Sequence, residues 1–164
     1  MQHAGWRSRG YIPHCDAAGI IQHIVMRTIS EAEDGEADGQ HFFKSPEAAA
    51  IIENALLHFD GERYRLLAWC VMSNHVHVIA EQLEGWPLAN VVHSWKSFTA
   101  NEVNRLLSRS GPLWQREYFD RFMRHDDHLN TTIAYVETNP VAAGLAETPQ
   151  DWRWSSARLR LVQA

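Results

Sequence analysis

The sequence predicts an α+β fold in which helices pack against an antiparallel sheet. Two apolar runs, Tyr64 to Val71 and His75 to Glu81, flank the short polar break Ser73-Asn74, which is the pattern of a β-hairpin. A β-branched run, Gly19 to Ile29, lies upstream. Three stretches with apolar residues at helical spacing are interleaved with these strands. The 164 residues, 45% hydrophobic and 21% charged, suffice for one cored domain and fall short of two. The expected organisation is a single domain over 1–164, with an arm at 1–18 and a tryptophan-rich tail at 146–164.

The arm carries Trp6, Arg7, Arg9, Tyr11 and His14 without a period and reads as irregular. In the run from Gly19 to Ile29, Gln22, Ile24, Met26 and Thr28 alternate with Ile21, His23, Val25 and Arg27. Neither set is cleanly polar, so this strand is expected to be covered on most of both faces. Glu31 to Gln40 has no large apolar residue and reads as a solvated loop. Ser45-Pro46-Glu47 starts a helix with a capping hydroxyl, a proline in the first turn and an acid at the positive end. Ala48, Ile51, Ile52, Ala55, Leu56 and Phe59 follow at helical spacing, and Asp60-Gly61 closes the segment.

Gly85-Trp86-Pro87 opens a second helix whose expected buried stripe is Leu88, Val91, Val92, Trp95, Phe98, Val103 and Leu106. Ser110-Gly111-Pro112 ends it. Trp114 to Arg124 is an extended segment dense in aromatics and arginines. Either it stacks on bases and pairs with phosphates, or it is an edge strand whose long side chains cover an aromatic core. Asp126 or Asp127 caps a last helix running to about Thr138, with Leu129, Ile133 and Val136 buried and Asn139-Pro140 as the stop. The tail, Asp151 to Ala157, is expected to pack back on the domain.

No apolar run approaches the ~20 residues of a membrane span. The first residues lack the apolar core of a signal peptide, and Cys15 and Cys70 have no CxxC spacing. A cytoplasmic protein without a membrane partner is expected. The net charge of −5 counts against a nucleic-acid partner, but five of the 20 acids crowd into residues 31–38. From Val91 to His125, six bases face three acids, which permits a locally basic face.

His75 and His77 share one face of the second hairpin strand, about 6.5–7 Å apart at the backbone. Such a pair is either the wet face of an ordinary strand or two imidazoles converging on one cation. Tyr135 and Asn139 are four residues apart and stack on one helix face, about 100° from the Leu129/Ile133/Val136 stripe. The tyrosine then flanks the packing seam, either packing its ring there or meeting the histidine face of the hairpin. Lys96 lies off its own helix's stripe, as a solvated charge or a phosphate contact.

His-hydrophobe-His, directly after Met72-Ser73-Asn74, resembles the motif of the HUH nucleases. Tyr135-Val136-Glu137-Thr138-Asn139-Pro140-Val141 is similar to the tyrosine helix and Asn-Pro-Val turn of the IS200-like, single-tyrosine branch, the REP-associated tyrosine transposases. His93 to Thr99, Trp114 to Arg124 and Asp151 to Ala157 match the same family in the same order. The resemblance implies a ferredoxin-like HUH nuclease fold and cleavage and rejoining of single-stranded DNA at hairpin, REP-like repeats. Tyr135 would be the nucleophile, giving a 5′-phosphotyrosine and a free 3′-hydroxyl. His75 and His77, with Asn139 as a further ligand, would hold Mg²⁺ or Mn²⁺. Arg7, Arg9, Lys96, Arg116, Arg121 and Arg124 are the candidate DNA contacts. A nucleoid-associated monomer or homodimer is implied. The net acidity and the loop at 31–40 stand outside the family pattern. Two competing readings are a hairpin-binding protein without catalysis, and an unrelated metallohydrolase using the histidine pair.

Overall fold

The structure, a computed structural model, describes residues 5–9, 12–16, 19–30, 39–123 and 126–160, the first two stretches as backbone. Among the described residues, six strands and three α-helices follow in chain order: β1 Gly5–Arg9, β2 Ile12–Asp16, β3 Ile21–Arg27, α1 Pro46–His58, β4 Tyr64–Val71, β5 His75–Gln82, α2 Leu88–Leu106, β6 Phe119–Phe122 and α3 Asp126–Ala142. β3 to β6 form one antiparallel sheet in the order β4-β5-β3-β6. The expected α+β class holds.

The two sheet faces bury different things. Ile24 and Met26 of β3, Val76, Val78 and Ala80 of β5, and Tyr64, Trp69 and Val71 of β4 form the main core with α1 and α2. On the other face, Ala68, Cys70, Met72 and Ile79 pack with Val136, Leu129 and Ile133 of α3. The sheet is therefore sandwiched between α1/α2 and α3, which explains why β3 carries no clean polar face. A register shift between Leu66 and Ala68 makes this possible on β4. Tyr64 and Trp69 are five residues apart and would face opposite ways on a regular strand. The bulge restores both to the α1/α2 side.

Ser45 caps α1 as expected, its Oγ accepting the Ala48 N–H at 3.3 Å. In α2 the expected stripe is corrected at two positions: Phe98 and Leu106 are 54% and 43% exposed. Thr99 is buried instead, donating to the Trp95 carbonyl at 2.7 Å and accepting from Trp114 Nε1 at 2.9 Å. The positions Val91, Trp95, Thr99 and Val103 are four apart, and this row turns Phe98 and Leu106 off the sheet.

Two further expectations are corrected. Residues 1–18 are not wholly irregular, because β1 and β2 pair antiparallel with Arg7 opposite His14. A ribbon that satisfies its backbone by self-pairing needs no alternating pattern. Asn139-Pro140 does not end α3, which continues to Ala142. The real stop is a Schellman cap: Gly144 has φ +75°, its N–H reaches the Val141 carbonyl at 3.0 Å, and the Leu145 N–H reaches the Pro140 carbonyl at 2.8 Å. Pro140 therefore lies inside α3, where its ring removes one backbone N–H from the helical ladder.

The tail does pack back. The Val71 N–H donates to the Trp154 carbonyl at 2.8 Å, and Ser156 Oγ accepts the Trp69 N–H at 2.9 Å. The outer edge of β4 is thereby covered. Buried Glu53 of α1 receives Arg158, Arg153 and Trp69 Nε1, while buried Glu137 of α3 receives Arg160 and the Ser156 hydroxyl. Of the acidic loop, 31–38 lie outside the described residues. At its far end the Gln40 N–H donates to Ile29 O at 2.8 Å. Among the described residues no helix is long and apolar enough to cross a membrane.

Candidate active site

The turn between β4 and β5 starts the site. The Met72 N–H donates to the His75 carbonyl at 2.9 Å, so Ser73-Asn74 reverse the chain and β5 begins at His75. His75 and His77 then project on the α3 side, His77 lying between Cys70 of β4 and Val25 of β3. Asn74 Oδ1 lies 2.8 Å from His75 Nδ1. An amide oxygen only accepts, so Nδ1 carries the proton and Nε2 the lone pair.

His77 is 4% exposed, and burial, helped by the charges of His75, His23 and Arg27, pulls its pKa down to about 3. His23 of β3 stacks on it, rings 5.2 Å apart and 18° from parallel, with Nε2 2.9 Å from His77 Nδ1. Burial and the charge of Arg121 lower His23 to about 4. Both rings are thus neutral at pH 7, and one proton lies between them. The Asn139 amide nitrogen sits 3.4 Å from His77 Nε2. If that amide donates, His77 Nε2 accepts, Nδ1 is protonated, and His23 Nε2 is the acceptor. His23 thereby orients the His77 ring and points its lone pair at Asn139.

Val136, fully buried on the sheet, docks α3 and places Tyr135 beside the histidines. The Tyr135 ring lies 5.8 Å from the His77 ring and 6.2 Å from the His23 ring, both edge-on. It is 58% exposed while His77 beneath it is buried. His75 completes the group, its ring 5.0 Å from that of His77.

Among the described residues no three His, Cys, Asp or Glu side chains are arranged to hold a metal ion. The residues that could hold one are two imidazoles and an amide. The set fits a divalent cation in its chemistry: His77 is neutral, and turning the Asn139 amide over brings its carbonyl oxygen to the His77 lone pair. A groove of about 410 Å³ opens beside Tyr135, walled by His23, Phe119 and Arg121.

Seen from the sequence, His75, His77, Tyr135 and Asn139 are brought together, with Arg121 at the rim. Arg116 is exposed, upstream of β6. Lys96 lies on α2, across the sheet from the histidines, and donates to the Gln115 and Arg116 carbonyls at 2.8 and 3.3 Å. Arg124 and the side chains of Arg7 and Arg9 lie outside the described residues. Sequence reasoning missed His23 as part of the site. A single histidine in a β-branched strand has no spacing signature, and only the β3–β5 register brings it to His77.

The family model described as "Transposase IS200 like" matches residues 20–139, a span from the start of β3 to Asn139. The chain belongs to the IS200-like transposase family. It is a family of DNA-processing enzymes, and the resemblance to its REP-associated branch extends to two relatives. A Haemophilus influenzae protein assigned by name to the REP-associated tyrosine transposases is 25% identical over 103 residues, which cover 57% of this chain and 58% of that one. The match thus spans little more than half the length of that relative. A solved structure of a REP-associated tyrosine transposase bound to a REP hairpin superposes with TM-score 0.69 at 16% identity, covering 93% of this chain and 83% of that one. At that identity the likeness establishes a shared fold.

Proposed function

We propose that this IS200-like transposase is a metal-dependent tyrosine nickase and strand-transfer enzyme that acts on single-stranded DNA at hairpin, REP-like repeats. The observation that carries the reading is the exposed Tyr135 ring 5.8 Å from buried His77, with Asn139 on the same helix. Family membership and the fold shared with a hairpin-bound relative support the substrate class.

In the proposed reaction, Tyr135 Oη attacks the scissile phosphorus. An O–P bond forms to the tyrosine, the bond to the 3′-oxygen breaks, the phenolic proton is lost, and the 3′-oxygen leaves as a hydroxyl. Attack by a 3′-hydroxyl on the 5′-phosphotyrosine reverses these changes and rejoins strands. His75, His77 and Asn139 would hold Mg²⁺ or Mn²⁺, which supplies positive charge to the scissile phosphate. Burial keeps the His77 ring neutral, and His23 holds its orientation. Arg121 and Arg116 are the proposed phosphate contacts, with Lys96, Arg7, Arg9 and Arg124 candidates from the sequence. One chain supplies both the histidines and the tyrosine, so the chemistry does not require a second copy.

A covalent-adduct assay tests this. Purified protein is incubated with labelled hairpin DNA from the flanks of its own gene and Mn²⁺ or Mg²⁺, then run on a denaturing gel. A shifted, protease-sensitive band is expected, lost in Tyr135→Phe with hairpin binding unchanged. Nicking retained in that variant would remove Tyr135 as nucleophile. Tight, salt-dependent binding without an adduct in either metal would leave a non-catalytic hairpin-binding protein.

A further inference from the structure

The groove beside Tyr135 has walls of unlike chemistry. Its floor is the β6 face that pairs with β3, where Phe119 lies opposite Val25 and Arg121 opposite His23. Its far wall is the middle of α3, with Thr131, Thr132 and Tyr135. The volume, about 410 Å³, falls in the range of small-ligand sites.

Phe119 is the unexpected member. It is 46% exposed although it lies on the sheet, and its neighbour Asp120, pointing the other way, is 9% exposed. Its ring meets His23 edge-on at 6.1 Å, and the Tyr135 ring meets the same histidine at 6.2 Å. An open aromatic face and the nucleophile thus adjoin one buried ring. Arg121, two residues along the same strand face, adds an exposed cation at the groove wall. Thr131 and Thr132 spend their hydroxyl protons on the Asp127 and His128 carbonyls, at 2.9 and 2.8 Å. Their oxygens keep acceptor capacity for the amino groups of a base.

We propose that this groove seats one unpaired base of the nucleotide flanking the phosphate attacked by Tyr135, stacked on Phe119 with its backbone paired to Arg121. The inference rests on the tyrosine-nuclease reading and adds a substrate subsite to it. Stacking on a single aromatic tolerates any base, so the subsite selects for an unpaired nucleotide over a duplex. The nuclease would then act only where the strand next to a hairpin is single.

The test uses the full chain and single-stranded oligonucleotides carrying the cleavage position mapped in the adduct assay, with an abasic residue placed at each flanking position in turn. Phe119→Ala is expected to bind the intact oligonucleotide about 5- to 150-fold more weakly, the equivalent of the ~1–3 kcal/mol of stacking one base on an aromatic ring. Phe119→Trp should restore binding. One abasic position should weaken the wild type by a similar factor and Phe119→Ala by little, because the two changes remove the same contact. Equal sensitivity of both proteins to every abasic position would overturn the subsite and leave the nucleophile assignment standing. Phe119→Ala binding and cleaving as the wild type does would overturn it as well. Wild-type protein that neither binds nor cleaves any single strand would overturn both readings together.

Discussion

Two buried, neutral histidines stacked on one another make the fold sensitive to mild acid. His77 titrates at about 3 and His23 at about 4 in the folded chain, against 6.5 for an exposed imidazole. Below pH 6.5 the unfolded chain takes up a proton at each site that the folded chain refuses. Stability is therefore complete above pH 6.5 and is lost as pH falls toward the folded values. Each site contributes roughly 2 kcal/mol of loss between pH 7 and pH 5, about 4 kcal/mol together. The window is informative because unperturbed carboxylates titrate below it. Urea unfolding of the metal-free protein at pH 7, 6 and 5 measures the loss. In His23→Gln, which keeps a polar partner for His77, the loss should shrink to about 2 kcal/mol. Stability that is flat from pH 7 to 5, or a full loss that survives in His23→Gln, would refute the buried-neutral account of the pair.

Three further outcomes follow from the geometry. Mn²⁺ at about 100 times its dissociation constant should stabilise the wild type by about 2.7 kcal/mol in thermal unfolding and should leave His77→Ala unmoved. Val136→Ala removes two methyls from a fully buried side chain of α3, so denaturant unfolding should show a loss of about 2–3 kcal/mol. The same change should slow adduct formation by loosening Tyr135. Ser45→Ala should cost about 1 kcal/mol in chemical denaturation, because the Ala48 N–H loses its cap, with adduct formation unaffected.

The features legible in the sequence were those that local physics decides. The hairpin is one: its two runs and polar break correspond to β4, Ser73-Asn74 and β5 within a residue. The Ser45 cap is another, since the hydroxyl, proline and acid all act within one turn. Tyr135 and Asn139 share a helix face by spacing alone, and the angular offset from Val136 already put the tyrosine at the seam. What the sequence hid depends on register and competition. His23 reaches His77 through strand pairing across 54 residues. Phe98 and Leu106 fit the helical period of α2, yet the row through Trp95 and Thr99 took the sheet, partly because Thr99 bonds Trp114. Pro140 reads as a stop, but the glycine-dependent cap at Gly144 sets the end of α3 four residues later.

The tail has a consequence for the order in which the site matures. Tyr135 rides on α3, and α3 is tied to β4 through Glu137, which receives Ser156 and Arg160. These two residues leave the ribosome after Tyr135 does. A nascent chain that has emerged only through α3 already carries His23, His75, His77, Tyr135 and Asn139 but lacks the two residues that tie Glu137 to the tail. The docking of the helix that carries Tyr135 is thereby completed last in the order of synthesis, once Arg160 is free to reach Glu137.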